Sequence, residues 1–165
     1  MLPAPTPAPA HPRFQIALHR GARRDLWPLF ELADASPLAI RRYLDLGLVH
    51  VVALGGVPVG HAQIVPGEGR PWELRSLAVL APYRGRGLGS KLVRRSMAWA
   101  REHAIPRLVL GTVSSDLDAV RFFQRLDFRI VGVERDAYAL AHASLEGLPA
   151  RALPARDRIW MQAEL

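Results

Sequence analysis

One stretch, Trp72 to Ala104, restricts what this chain can fold into more than any other. Glu73-Leu74-Arg75-Ser76-Leu77-Ala78-Val79-Leu80 is short and largely apolar, as a central strand should be. Pro82 ends it, because proline has no N–H to give to a ladder. A turn follows, Arg84-Gly85-Arg86-Gly87-Leu88-Gly89. From there Gly89, Val93, Met97, Ala100 and Ala104 recur at helical spacing, and Leu88 with Leu92 widens that face. Lys91, Arg94, Arg95, Arg101 and Glu102 fall mostly off it. A strand that turns through glycines into a long amphipathic helix is an α/β element. The helix points its unpaired first N–H groups and its positive dipole end back into the turn.

Alternating glycines leave the backbone bare where a ligand can approach, and Arg84 and Arg86 add positive charge. A phosphate-bearing ligand suits such a turn. For the two arginines the alternative is solvated surface charge. Two familiar phosphate loops fit badly. A Walker loop ends in Gly-Lys-Ser/Thr, whereas Gly89-Ser90-Lys91 has the order reversed. A dinucleotide fingerprint needs G-x-G-x-x-G and an acidic residue closing a second strand about 20 residues on, and neither is present in that form.

The turn resembles motif A of the GNAT superfamily, the acetyl-CoA-dependent N-acetyltransferases, written R/Q-x-x-G-x-G/A; Arg84, Gly87 and Gly89 match it. Ala119-Val120-Arg121-Phe122-Phe123-Gln124-Arg125-Leu126-Asp127-Phe128 is similar to the family's motif B, A-x-x-F-Y-x-x-x-G-F. Two motifs in the family's order, each in its expected setting, are far more specific than a glycine turn alone. The resemblance implies an α/β fold with a mixed, mostly antiparallel central sheet flanked by helices. It implies acetyl-CoA as cosubstrate, and a primary amine of a small molecule or peptide that attacks directly in a ternary complex.

The resemblance also assigns residues. The main chain of Leu77, Ala78 and Val79 would pair with the pantetheine arm, and the Val79 N–H would polarise the thioester carbonyl. Arg84, Gly85, Arg86, Gly87, Leu88, Gly89 and Ser90 would hold the diphosphate. Asp116 stands where many members carry a cofactor-contacting asparagine, and Phe123 where many carry a tyrosine that protonates the leaving thiolate. Phe123 has no proton to give; Tyr138 is an alternative donor, and a thiol pKa near ~8.5 makes the anion a tolerable leaving group. Asp127 replaces the motif's glycine, at a turn where aspartate tolerates a left-handed φ less easily.

Amine acetylation needs a neutral amine, yet an alkylammonium has a pKa near ~10.4. Glu73, eleven positions before Arg84, matches the spacing of the family members that take a glutamate base from this strand. Its ordinary pKa near ~4.3 calls for burial or a water relay. The plainer role for Glu73 is to pair with an arginine at a strand end. His61 is a second candidate base by its intrinsic pKa, with core packing as the alternative. The six histidines show no H-x-x-x-H spacing, so no metal site is expected.

A length of 165 residues suits one domain, taken as 14–165 behind a Pro/Ala-rich tail over 1–13 that lacks the basic head and apolar core of a signal peptide. The absence of cysteine excludes disulfides and thiolate chemistry. With no apolar run of membrane-spanning length, a cytoplasmic protein is expected. The net charge of +7 is nearly all arginine, but no basic block with interleaved aromatics supports nucleic-acid binding. Pairing of two copies stays open. The competing function is a non-catalytic acyl-CoA-binding module or sensor, which Phe123 in place of tyrosine keeps in play.

The remaining elements follow from local signals. Phe14–Leu18 reads as a strand, residues 23–35 as a helix with Pro28 in its first turns, and Ser36-Pro37 as the cap and first turn of another ending at Gly47. Strands are expected over 48–54 and 57–65 around Gly55-Gly56, with a loop over 66–70. Later strands are expected over 107–112, 128–134 and 158–161, and a helix through Leu126 opened by a Ser115/Asp118 capping box. The acceptor would be shaped by the first two helices and the loop from Ala141 to Arg156.

Overall fold

Phe14, Ile16 and Leu18 turn inward while Gln15 and Ala17 face solvent, and this alternation makes an edge strand, β1 (Phe14–Leu18). The computed structural model describes residues 13–138 and 156–165. The tail expected over 1–13 lies outside them except for Arg13, and so does the loop from Ala141 to Arg156 except for Arg156. After β1 come α1 (Trp27–Ala33), α2 (Pro37–Tyr43), β2 (Leu48–Leu54), β3 (Val57–Gly67), β4 (Arg70–Val79), α3 (Leu88–Glu102), β5 (Arg107–Val113), α4 (Leu117–Gln124), β6 (Arg129–Glu134) and β7 (Arg158–Glu164). The strands form one sheet in the order β1-β2-β3-β4-β5-β7-β6. Only β4 and β5 run parallel; every other neighbour pair is antiparallel.

Both sheet faces are covered, and β2 shows it. Leu48 and Val52 join one core with Leu92, Val93 and Met97 of α3 and Val120 and Phe123 of α4. Val49 and Val51 point the other way, onto Leu29 and Phe30 of α1 and Ile40 and Tyr43 of α2. A strand buried on both faces reads as a continuous apolar run rather than an alternating one.

Several boundaries differ from the sequence expectation for identifiable reasons. Residues 23–26 form a 3-10 turn, and the α-helix starts only at Trp27. Pro28 removes one donor and crowds the carbonyl before it, so regular bonding begins around it. Ser36 does cap α2, its Oγ accepting from the Ala39 N–H at 3.2 Å. That helix stops at Tyr43 rather than Gly47. The buried Gln63 amide takes the freed carbonyls, donating to Tyr43 O at 2.8 Å and Leu46 O at 2.9 Å. Gly55 and Gly56, at φ +58° and +85°, turn β2 into β3 as expected. The loop expected over 66–70 is instead a tight turn between long strands, with Pro66 tolerated at a register shift between Val65 and Gly67. Ala104 falls outside α3, exposed and at φ +56°. Asp116, not Ser115, caps α4; its Oδ1 accepts from the Ala119 N–H at 2.9 Å. Asp127 adopts φ +66°, the left-handed turn that the glycine it replaces would make.

Two histidines lie fully buried in this framework. His50 Nδ1 is 3.0 Å from Ser96 Oγ, and His61 Nε2 is 2.7 Å from Ser76 Oγ. Burial pushes the His61 pKa down from 6.5 to about 3; burial and then the Arg95 charge push His50 down to about 4. The unfolded chain therefore takes up protons that the native state refuses. Stability is complete above the ordinary histidine pKa and falls as pH drops from 6.5 toward 4. With both groups in play the slope approaches about 2.7 kcal/mol per pH unit. Urea unfolding at pH 7 and pH 5 is expected to show this loss, and His61→Phe to reduce it by about half, leaving the part due to His50.

Candidate functional site

The parallel pair at the sheet centre is brief. Trp72 pairs with Leu108 and Glu73 with Val109, and beyond these β4 and β5 part. Each is held by its other neighbour: β4 by β3, and β5 by β7 along its whole length. The strands diverge like a fork, leaving the later part of β4 with a free edge. Leu80 N–H donates to Val59 O at 2.9 Å, so the alternation along β4 turns the N–H and C=O of Val79 away from β3 and into the gap. Arg84 Nε donates to that Val79 carbonyl at 2.9 Å, which confirms the orientation.

At the open end of the fork stands the start of α3. Its N-cap is Gly87 at φ +73°, with no side chain capping it and no acidic residue in the first turn. The first helical bond is Lys91 N–H to Gly87 O at 3.1 Å, so the N–H groups of Leu88, Gly89 and Ser90 are left to a ligand. Gly85 also has φ +73°, and a Cβ on either residue would meet nothing within 4 Å. At Gly89 a Cβ would come 3.4 Å from the Phe122 ring, an ordinary packing contact. Uncapped donors, a dipole end and two arginines without ion-pair partners among the described residues fit a diphosphate.

The fork and the helix start share one cleft of about 560 Å³. Leu77, Ala78, Val79, Arg84, Gly85, Gly87, Leu88, Gly89, Ser90 and Asp116 line it. Two expected residues do not. Arg86 is exposed beside it, and Phe123 turns away into the core, only 9% exposed. Its neighbour Phe122 faces the cleft instead. Phe123 packs at 5.7 Å from the Phe128 ring, because the apolar stripe of α4 carries it inward. Phe123→Tyr is accordingly expected to leave kcat within about twofold and to cost about 1–2 kcal/mol in urea unfolding, from a hydroxyl buried without a partner.

Leu32, Tyr83, Asp118, Ala119 and Phe122 complete the lining. Tyr83, Ala119 and Phe122 stand inside or beside the two motifs and were open to discovery there. Leu32 carries no local signal, since α1 reaches the cleft only through the fold.

The candidate bases lie on the sheet face toward α1 and α2. Glu73 is the last β4 residue paired with β5, at the crotch of the fork. Its side chain is 24% exposed, and its Oε1 lies 3.4 Å from Arg75 Nη1. It does not line the cleft described above. His61 is sealed against the Phe30 ring at 4.3 Å between centroids, and at neutral pH its ring carries no positive charge. Being 0% exposed, it has no surface from which to take a proton off an acceptor. Tyr138, the alternative proton donor, has its Oη engaged by Arg158 Nε at 3.2 Å, on β7.

Residues 17–128 match the model of the Acetyltransferase (GNAT) family. The chain is 23% identical over 153 residues to "Uncharacterized N-acetyltransferase YvbK" of Bacillus subtilis (strain 168), covering 93% of this chain and 97% of that protein. A GNAT family acetyltransferase from Elizabethkingia anophelis, crystallised with acetyl-CoA bound, shares the fold at a TM-score of 0.81 and 22% identity, over 92% of this chain and 98% of that one. An IAA acetyltransferase from Bacillus cereus ATCC 14579 gives a TM-score of 0.78 at 25% identity, over 92% of this chain and 100% of that one.

Proposed function

The chain belongs to the acetyltransferase (GNAT) family, and from that premise we propose that it moves an acetyl group from acetyl-CoA to a primary amine of a small molecule or peptide. The single observation that carries this is the shared cleft: uncapped N–H groups at one end and the free edge of β4 at the other. Acetyl-CoA supplies an activated acetyl thioester when bound. The N–H groups of Leu88, Gly89 and Ser90 hold its diphosphate, with Arg84 and Arg86 adding charge nearby. Arg84 does more than supply charge, since its bond to the Val79 carbonyl helps fix the peptide that follows Val79, next to the one whose N–H polarises the acyl oxygen.

Direct attack forms one N–C bond, breaks one C–S bond and frees one proton from the amine. Glu73 takes that proton, directly or through water. No side chain is assigned to the departing thiolate, whose low basicity makes an acid dispensable. The second reading, an acyl-CoA sensor without turnover, draws on the inward-facing Phe123. Thiol release from acetyl-CoA over an amine panel separates the two: turnover supports the transferase, whereas thermal stabilisation by acetyl-CoA with no thiol release supports the sensor.

A further inference from the structure

Two arginines flank the fork on the Glu73 face, and nothing in the transfer chemistry uses them. Arg75 is the extra residue of a bulge, since Ile64 opposes Leu74 and Gln63 opposes Ser76. Its guanidinium lies 4.5 Å over the Tyr43 ring, with Nη1 3.4 Å from Glu73 Oε1. Across the gap, Arg158 opens β7 and lays its side chain on Gly111 of β5, where a Cβ would come within 2.7 Å of Cδ. Only a glycine leaves that path open. The Arg158 guanidinium sits 5.1 Å from the Tyr138 ring centroid and 5.3 Å from that of Trp160. Its Nε donates to Tyr138 Oη at 3.2 Å and its Nη1 to Glu134 Oε2 at 3.0 Å. The same Glu134 oxygen accepts from Trp160 Nε1 at 3.0 Å.

The register places these groups together. Glu73 pairs with Val109 in a parallel ladder, and Gly111 is two residues further along β5, so its Cβ direction falls on the face that Glu73 occupies. Arg75 on β4 and Arg158 lying over β5 thus share the sheet face that Glu73 occupies, one on each side of the fork. Both side chains stay partly open, at 34% and 26% exposure. The Nη2 group of Arg158 has no hydrogen-bond partner among the described residues. A guanidinium steadied over two aromatic rings, with its Nη2 still free, can take up a carboxylate by charge-assisted hydrogen bonds.

We propose that Arg158, assisted by Arg75 across the gap, is a carboxylate subsite, and that the acceptor is an amine bearing a carboxylate, of the amino-acid class. Its amine then points to Glu73 and its carboxylate to Arg158. This rests on the N-acetyltransferase reading. The test compares each free amino acid of a panel with its own amide and its decarboxylated amine, by acetyl-CoA-dependent thiol release. The free acids are expected to show kcat/KM tenfold or more above both partners. Arg158→Gln should raise KM for the acid about ten- to a hundredfold, leave kcat and the KM for acetyl-CoA within about twofold, and leave the amide unaffected. Arg75→Gln, away from the β7 packing, should raise the same KM by a smaller factor. Equal turnover of acid, amide and amine, or an Arg158→Gln effect common to all three, overturns the subsite alone. Acetyl-CoA binding with no amine acetylated overturns the transferase reading and the subsite with it.

Discussion

Gly87→Val is expected to weaken acetyl-CoA binding by a hundredfold or more, measured by isothermal titration. Gly87 sits at φ +73°, where a β-branched residue is strained, and it is the N-cap of α3. A valine would stand at the mouth of the turn, among the first N–H groups of the helix. A hundredfold is about 2.7 kcal/mol, comparable to misaligning the two or three charge-assisted bonds those donors would make. Gly56→Val is the control. It places the same side chain at φ +85° in the β2–β3 hairpin, also with open space around it. The control should lower Tm by a similar amount and leave binding intact. Unchanged affinity in the Gly87 variant would show that the diphosphate is held elsewhere.

Glu73→Gln is expected to lower kcat by about 10²–10³ near neutral pH while leaving the KM for acetyl-CoA unchanged. The deficit should shrink as pH rises toward the amine's own pKa, about 10.4 for an alkylamine, because less of the amine then has to be deprotonated before it attacks. Little stability is at stake. The carboxylate's pair with Arg75 is partly exposed, and such pairs are worth about 1 kcal/mol or less. A kcat within about threefold of the parent at pH 7, with a parallel pH profile, would leave Glu73 as the arginine's partner and nothing more.

The parts of this molecule that were legible in its sequence are those governed by neighbours along the chain. Gly55-Gly56 announced a hairpin, and Ser36-Pro37 announced a helix start. The glycine turn announced a helix N-terminus open to an anion. Each of these depends on φ/ψ preferences and on donors within a few residues. Judgements that needed a facing partner fared worse. Phe123 holds a cofactor position in the motif, but the apolar face of α4 carries it into the core beside Phe128 and leaves Phe122 at the cleft. His61 looked like a base because an isolated imidazole titrates near neutrality, and only its burial against Phe30 shows that this one does not. Asp116 took the capping role from Ser115, since the helix that formed began one residue later.

Local stereochemistry therefore settled, before any folding, that this chain would present bare backbone donors after a central strand, and two motifs in order named the family. What the sequence could not contain is the fork. It exists because β3 and β7, from distant parts of the chain, pull β4 and β5 toward opposite sides after a short parallel contact. The free edge at Val79, the crotch at Glu73 and the placing of Arg75 and Arg158 on one sheet face are properties of strand pairing at long range, and no residue states its distant partner in its own identity.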